Sequence, residues 1–562
     1  MEKKNQGRNI QGVKLQTGDN VAFVCRLGGA FRTLDAVISV GTLYSTVFPF
    51  SVLSQCGVKH PKPLPFFGNM FIFHATCKDF PPALYSVLYY LGRNPVVVIA
   101  DPDMIKQVAV KEFSCFNNRF DKPMIDSLLM LRDERWKRVR SILTPSFSTA
   151  KMKEMVPLIN TSTGTLMNNL DAYAKTGEAF DLHRCFSCYT IDAIATVAFG
   201  TQLDSQNNPD DPFVRHAKTF FSLSFFQPLL LLVGQFFAFP FLKVPLLSLS
   251  KSQSESDNFF ISCIKKMIKE RDEQPPEQRR RDFLQLMMDA RSSNECVSLD
   301  QFDMVNNADE VGHTHQQTDQ SASEQDNDYH QPQASSAKSS QKRTITDDEI
   351  VGQAFIFLLA GYETTSNTLA FICYLLATHP ECQRKLQDEV DQFYSRHESP
   401  DYFNVQELKY LDMVISETLR LYPPGFRFAR MVEKECVVNG QVLPKGARVD
   451  MSAAFLHYDP EHWPEPEKFI PERFTPEAKA NRHPFVYLPF GAGPRNCVGM
   501  RLAQLEMKMA LVQLFRRFNI VTCSETKVGW QYFTQKLNIL YYVLILSGSW
   551  ISDNKGFLIV EK

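Results

Sequence analysis

Net charge is the first thing this chain of 562 residues lacks, since 61 lysines and arginines stand against 62 aspartates and glutamates and leave −1. So even a balance offers no electrostatic footprint for nucleic acid. A disulfide pattern is missing too: 13 cysteines, an odd number without repeating spacing, give no framework of bridges and fit a reducing compartment. The amino terminus has no small-residue cleavage site of the kind a secretory signal needs. What is present is apolar bulk. Hydrophobic residues make up 44% of the chain and 45 of its residues are phenylalanine, enough for a large core and a wide apolar cavity.

One stretch organises the rest: Phe490-Gly-Ala-Gly-Pro-Arg-Asn-Cys-Val-Gly499. Gly491 and Gly493 let the backbone bend where a side chain would collide, and Pro494 stiffens the loop before a helix expected from about Met500 through Phe518. A cysteine at a helix start lies in the positive end of the helix field, which favours thiolate over thiol. A thiolate there is a metal ligand or a nucleophile. No histidine or second cysteine stands at zinc-finger spacing from Cys497, which argues against structural zinc. A lone thiolate among glycines suits an iron porphyrin, with Gly499 letting the macrocycle approach and Arg495 placed to meet a propionate. The alternative is a buried structural cysteine in a loop. Cys185 and Cys188 form a Cys-x-x-Cys without strand-turn context or a second pair, and read as helix-packing residues.

Three further patterns carry chemistry. Trp136 and Arg140 lie four apart on the helical stretch Asp133 to Leu143, hence on one face. A surface cation stacked on a tryptophan would give the same spacing. Asp347 to Thr378 reads as one long helix capped by Thr346 or Asp347, with Glu349 in its first turn. In its centre, Ala360 and Gly361 are small enough to let the helix pass close over a flat cofactor, while Glu363 and Thr364 form an acid-alcohol pair able to hold water and relay protons. Threonine inside a helix also bonds the preceding turn. Glu417 and Arg420 stand three apart and can pair on a helix.

Taken together, these motifs resemble the cytochromes P450, over about residues 58 to 526. The resemblance implies a mainly α fold with small β-sheets, the cytochrome P450 fold, with haem b between the long distal helix and the helix after the cysteine loop, and Cys497 as axial thiolate. It implies that Trp136, Arg140, Arg430 and, more weakly, Arg119 meet haem propionates beside Arg495, with Phe490 and Gly499 also against the cofactor. Arg473, in Pro471-Glu-Arg-Phe474, would join Glu417 and Arg420 in a buried structural triad. Pro423 to Phe428 would border the substrate cavity.

Longer stretches, Asp101-Pro-Asp-Met-Ile-Lys-Gln-Val108, Val351-Gly-Gln-Ala-Phe-Ile-Phe357 and His457-Tyr-Asp-Pro-Glu-His-Trp-Pro464 among them, are most similar to the thromboxane synthases within that family, with the family three drug-metabolising monooxygenases next. The first likeness implies isomerisation of prostaglandin H2 to thromboxane A2, with a branch to hydroxy-heptadecatrienoic acid and malondialdehyde and no need of external electrons. The second implies a microsomal monooxygenase that takes electrons from NADPH-P450 reductase and oxidises lipophilic substrates. Thr364 and Thr365 favour the second, because thromboxane synthases carry apolar residues there. A thiolate-haem binding or sensing protein is a third reading.

The organisation expected around this body is an atypical amino-terminal segment, 1–58, with a marginal membrane anchor at 36–58. A proline-rich hinge at His60 to Asn69 follows. The catalytic body would span 59–526, with a strand at Pro95 to Ala100, a helix from Asp103 and a monotopic membrane contact at Phe225 to Leu242. A disordered insertion at 305–343 is rich in Gln, Ser, Asp and His, and its His313 and His315 read as linker residues. An atypical tail, 527–562, would hold a terminal hairpin. The expected setting is the endoplasmic reticulum membrane, with the catalytic body facing the cytoplasm as a monomer.

Overall fold

The computed structural model describes residues 86–91, 94–119, 126–208, 210–221, 251–292, 296–298, 340–342, 344–526 and 557–561. In chain order it opens with the hairpin β1 (Ser86–Leu91) and β2 (Asn94–Ile99) and a short helix α1 (Pro102–Lys106), which Asp101 caps by accepting the Met104 amide at 2.7 Å. A helical body follows: α2 (Asp133–Leu143), α3 (Thr149–Thr176), strand β3 (Phe180–Asp181), α4 (Leu182–Phe199), α5 (Pro212–Phe221), α6 (Lys251–Asp272) and α7 (Phe283–Asp289). Strands β4 (Cys296–Ser298) and β5 (Ser340–Lys342) precede α8 (Asp347–Thr378), α9 (Pro380–Tyr394) and α10 (Lys409–Leu421). The last third holds β6 (Phe428–Met431), β7 (Cys436–Val438), β8 (Gln441–Leu443), β9 (Arg448–Met451), α11 (Ala453–His457), α12 (Pro476–Ala480), α13 (Met500–Arg517), β10 (Asn519–Thr522) and β11 (Phe557–Glu561).

This is the mainly α architecture with small sheets that the motifs imply. The larger sheet is ordered β1-β2-β9-β6, with β9 parallel to β2 and antiparallel to β6. Val97, Ile99, Val449 and Met451 bury its inner surface in a core of its own. The helices share a second, larger core that contains α8.

Helix α8 starts where its sequence supplies a capping box. The Thr346 hydroxyl accepts the Glu349 amide at 3.3 Å and the Glu349 carboxylate accepts the Thr346 amide at 3.0 Å, satisfying two otherwise orphaned donors. Glu349 does more than cap. Its carboxylate, 1% exposed, also receives Arg135 at 2.9 Å and Arg138 at 2.7 Å. The start of α8 is thereby tied to α2, the helix carrying Trp136 and Arg140. Along its length α8 packs on α4, and the Thr190 hydroxyl donates to the Tyr362 carbonyl at 3.1 Å.

Three expectations are adjusted. The helix expected from Asp103 gives way at Gln107–Lys111 to a π-helical turn. Ser340–Lys342, placed by composition inside the insertion, pairs antiparallel with Cys296–Ser298 because short polar strands can close a ladder without an apolar face. The packed body also extends beyond 526: β11 pairs with both β10 and β3, and Leu558 and Val560 are buried. The stretches 36–58, 60–69, 225–242 and 537–546, and 305–339 of the insertion, lie outside the described residues. Among the described residues no helix is long and apolar enough to cross a membrane.

Candidate functional site

The cysteine loop is shaped by two glycines that no other residue could replace. Gly491 and Gly493 have φ of 77° and 72°. A Cβ on Gly493 would sit 2.0 Å from the Ala109 carbonyl oxygen, so the loop lies directly on the π-helical turn. Inside the loop the Cys497 amide donates to the Phe490 carbonyl at 2.9 Å and the Asn496 amide to the Gly493 carbonyl at 2.8 Å. Phe490 itself is half-buried against the helical core. These bonds hold Cys497 just before α13, whose first turn begins after Gly499.

Cys497 keeps an accessible surface although protein surrounds it closely, as a side chain lining an internal cavity does, whereas Cys115, Cys188, Cys373 and Cys382 are buried. A side chain on Gly499 would touch nothing nearer than Phe147, at 4.0 Å. The expected preference for thiolate is not met by the protein alone. Burial pushes the Cys497 thiol up, and the Gly499 amide, Arg140 and Arg119 pull it only partly back. Desolvation of an anion outweighs a helix terminus and one amide, so a bound cation is what would hold this sulfur ionised.

Four guanidiniums converge beside it. Arg495, 2% exposed, donates to the carbonyls of Asn117 at 2.8 Å and Leu131 at 2.9 Å, and stacks 4.0 Å over the buried Trp136 ring. Arg140 donates to the Asn496 carbonyl at 3.1 Å and side-chain oxygen at 2.8 Å. Arg119 donates to the Arg495 carbonyl at 2.5 Å. Arg430, 1% exposed, reaches only its neighbour's carbonyl, that of Ala429, at 2.9 Å. None of the four forms an ion pair with a carboxylate among the described residues. Burial lowers Arg119 and Arg140 to about 10, and burial with mutual repulsion lowers Arg495 to about 7. Among the described residues, the buried Nε groups of Arg140 and Arg430 find no acceptor.

Such a cluster calls for an anionic guest. Two carboxylates would offset two of the four positive charges and could give the Nε groups acceptors, which is the donor set that haem propionates require, while Cys497 would supply a sulfur to the iron. The residues fit the group.

On α8, Ala360 and Thr364 are exposed although the helix is buried on both sides of them, so the stripe they form faces a cavity. Gly361 does not share it. Its missing side chain faces α4, where a Cβ would lie 3.0 Å from Ile194 Cδ1, because successive helical positions point about 100° apart. Its smallness serves helix packing. The acid-alcohol pair is not joined: the Thr364 hydroxyl donates to the Ala360 carbonyl at 2.7 Å and Glu363 accepts from Asn367 at 3.1 Å.

The triad residues do meet. Arg420 grips Glu417 through two bonds of 2.7 Å, both side chains fully buried, and Arg473 Nε lies 3.3 Å from the same carboxylate. His457, absent from the sequence expectations, is also fully buried and joins this unit to the cysteine loop. Its Nδ1 donates to the Arg420 carbonyl at 3.1 Å and its Nε2 accepts the Leu488 amide at 2.9 Å. Asn118 and Asn496 were missed as well. The one lay next to Arg119 and the other inside the motif, but amides give no spacing signal.

Comparison with known proteins matches these features to a family. The profile described as cytochrome P450 matches residues 58–313 and 305–540. The chain belongs to the cytochrome P450 family. It is similar to the thromboxane-A synthase of Sus scrofa, 46% identical over 501 residues that cover 87% of this chain and 91% of the relative. For that of Mus musculus the figures are 47% over 520 residues, 90% and 94%. Cytochrome P450 3A29 of Sus scrofa is 37% identical over 509 residues, 88% of this chain and 91% of the relative. Like other P450s it is an enzyme whose family uses haem with a cysteine thiolate.

Proposed function

We propose that this P450 is a haem-thiolate isomerase that converts prostaglandin H2 into thromboxane A2, with Cys497 as axial ligand. The identity of 46–47% to thromboxane-A synthases, against 37% to cytochrome P450 3A29, supports the assignment. That difference in identity is the observation that carries it. Within the site, the Thr364 hydroxyl is bound to the carbonyl of Ala360 and separate from Glu363, which is compatible with a reaction that consumes no protons.

When bound, the haem would supply the one-electron chemistry that splits the endoperoxide O–O bond, and the protein's part is to hold and tune it. Cys497 would give sulfur to the iron, with the Gly499 amide and the nearby Arg140 and Arg119 moderating its charge. Arg119, Arg140, Arg430 and Arg495 would bind the two carboxylates. Trp136 fixes the Arg495 plane. Ala360 would leave room for the peroxide beside α8, and Thr364, whose hydroxyl donates to the Ala360 carbonyl, would offer no strong donor to an oxygen there. Hydroxy-heptadecatrienoic acid and malondialdehyde would accompany the main product. The setting proposed is the endoplasmic reticulum membrane, with lipid contact and a monomeric chain.

The second reading, a monooxygenase supplied with electrons by NADPH-P450 reductase, is favoured by the presence of Thr364 on the exposed stripe beside Glu363. Purified protein offered prostaglandin H2 without NADPH decides between them. Thromboxane B2, the hydrolysis product, is expected. Turnover of lipophilic substrates only with reductase and NADPH would reject the isomerase. Cys497→Ser should abolish the red-shifted Soret band of the carbon monoxide complex, and its persistence would reject the ligand assignment.

A further inference from the structure

Asn118 is fully buried, and its side-chain amide is used to capacity. The Nδ2 group donates to Asp133 Oδ1 and to Glu433 Oε1, each at 2.7 Å. The Oδ1 atom accepts the Asp133 amide at 2.9 Å and Arg495 Nη2 at 3.5 Å. An amide offers two donors and two acceptor lone pairs, so all four are engaged. The backbone carbonyl of Asn118 accepts the Met431 amide at 2.7 Å.

These contacts, together with the chain itself, lead to all four members of the arginine cluster. Arg119 follows Asn118 in the chain. Arg430 precedes Met431. Arg495 is a direct partner, and Asp133 opens α2, which carries Arg140 about two turns further on. Asp133 also has a φ of 48°, in the left-handed region, which aspartate adopts more readily than most residues but which local bonds must still hold. The paired bonds from Asn118 to the Asp133 side chain and amide supply that constraint. Glu433 is held from its other side by Arg132 at 2.8 Å, so the network does not end in a loose group.

We infer that Asn118 is a positioning residue for the haem carboxylates: it sets the mutual geometry of Arg119, Arg140, Arg430 and Arg495 without touching the cofactor. No other side chain has the same reach and balance. Aspartate cannot donate, glutamine is longer by a methylene, and alanine removes the acceptor of the Asp133 amide and the shared donor to Asp133 and Glu433, leaving Asn117 at 3.2 Å on the Asp133 oxygen and Arg132 on Glu433. The inference rests on haem occupying the arginine cluster and not on which reaction the haem performs.

The test uses the full-length ferric holoenzyme and three variants: Asn118→Ala, Asn118→Asp and the reciprocal triple Asn118→Asp, Asp133→Asn and Glu433→Gln. In the triple, the acceptor sits at 118 and both of its carboxylate neighbours become amide donors, so no like charges face each other, and asparagine accepts the left-handed φ well. Two readouts report on the carboxylates: the propionate-bending band of the resonance Raman spectrum and the rate of haem transfer to excess apomyoglobin. Asn118→Ala and Asn118→Asp should shift the band and lose haem about tenfold faster. The reciprocal triple should recover most of both changes. A band unmoved in the single variants, with transfer rates within twofold of wild type, would overturn the proposal, and so would a triple no better than Asn118→Asp. If the single variants accumulate no holoprotein, haem incorporation by the triple decides: recovery supports the proposal and failure to recover rejects it. An unaltered chain that purifies with no haem spectrum would instead sink the cofactor assignment beneath it.

Discussion

The guanidinium carbon of Arg495 lies over the indole of Trp136, 4.0 Å from the ring centroid, and both side chains are buried. The tryptophan thus serves the cofactor site through an arginine of the cysteine loop, 359 positions along the chain, in addition to sharing a helix face with Arg140. A desolvated cation over an indole is worth about 2 kcal/mol or more.

Trp136→Phe keeps a ring beneath the guanidinium and is expected to cost about 1–2 kcal/mol with haem retained. Trp136→Ala removes ring and volume together, for a loss of about 3–5 kcal/mol and most of the haem. Urea unfolding and the ratio of Soret to protein absorbance measure the two effects. Equal haem loss in both variants would show that the ring face does not hold Arg495.

Thr364→Val deletes a hydroxyl whose proton is given to Ala360. Turnover of prostaglandin H2 without NADPH should therefore stay within about threefold of wild type, less than 1 kcal/mol of barrier. A fall of tenfold or more, read as thromboxane B2 formed per minute, would return the hydroxyl to the chemistry.

His457 is held neutral, its pKa pushed down to about 3 by burial and by the nearby Arg420 cation. The unfolded chain takes up the proton near 6.5 and the folded one does not, so below about pH 6.5 the unfolded state binds more protons and stability falls as pH falls toward 3. The slope is about 1.4 kcal/mol per pH unit within that window. His457→Gln, which can still accept the Leu488 amide, should flatten this slope and keep the carbon monoxide spectrum. His457→Asn, too short to reach Leu488, should flatten it and lose the red-shifted band. Stability measured from pH 4 to 7 tests the first part, and an Asn variant with an intact spectrum would deny the link to the cysteine loop.

Glu506 is buried on α13, one carboxylate oxygen has no partner among the described residues, and burial raises its pKa to about 8. Here the sign is opposite. Between the unfolded value near 4.5 and about 8 the folded state binds the extra proton, so this group's contribution to stability is lost as pH rises through that range. Glu506→Gln, neutral throughout, should stabilise the protein by about 2–4 kcal/mol at pH 7.5 and by little at pH 5. Thermal unfolding at the two pH values gives the comparison, and a destabilised variant at pH 7.5 would mean that the carboxylate is paired.

Local patterns in the chain were enough to place the elements that carry the site. The helix over Asp347–Thr378, its capping box, the helix over Asp133–Leu143 and the turn before Met500 all follow from spacing and capping within a few residues. Cys497 and the Glu417–Arg420 pair were equally legible, since each depends on neighbours three or four positions away. Pairing between distant segments was not. Which way Gly361 points, why Asn118 matters, how His457 joins Arg420 to Leu488, and that Phe557–Glu561 closes a sheet with Phe180–Asp181 were decided only by the folded chain. The Cys497 thiol shows the same division: its place at a helix start is a local fact that favours the anion, but its pKa is raised because distant segments surround it with protein. Helix starts and turns are short-range balances of hydrogen bonds, whereas desolvation and side-chain networks are set by whatever the rest of the polypeptide brings into contact.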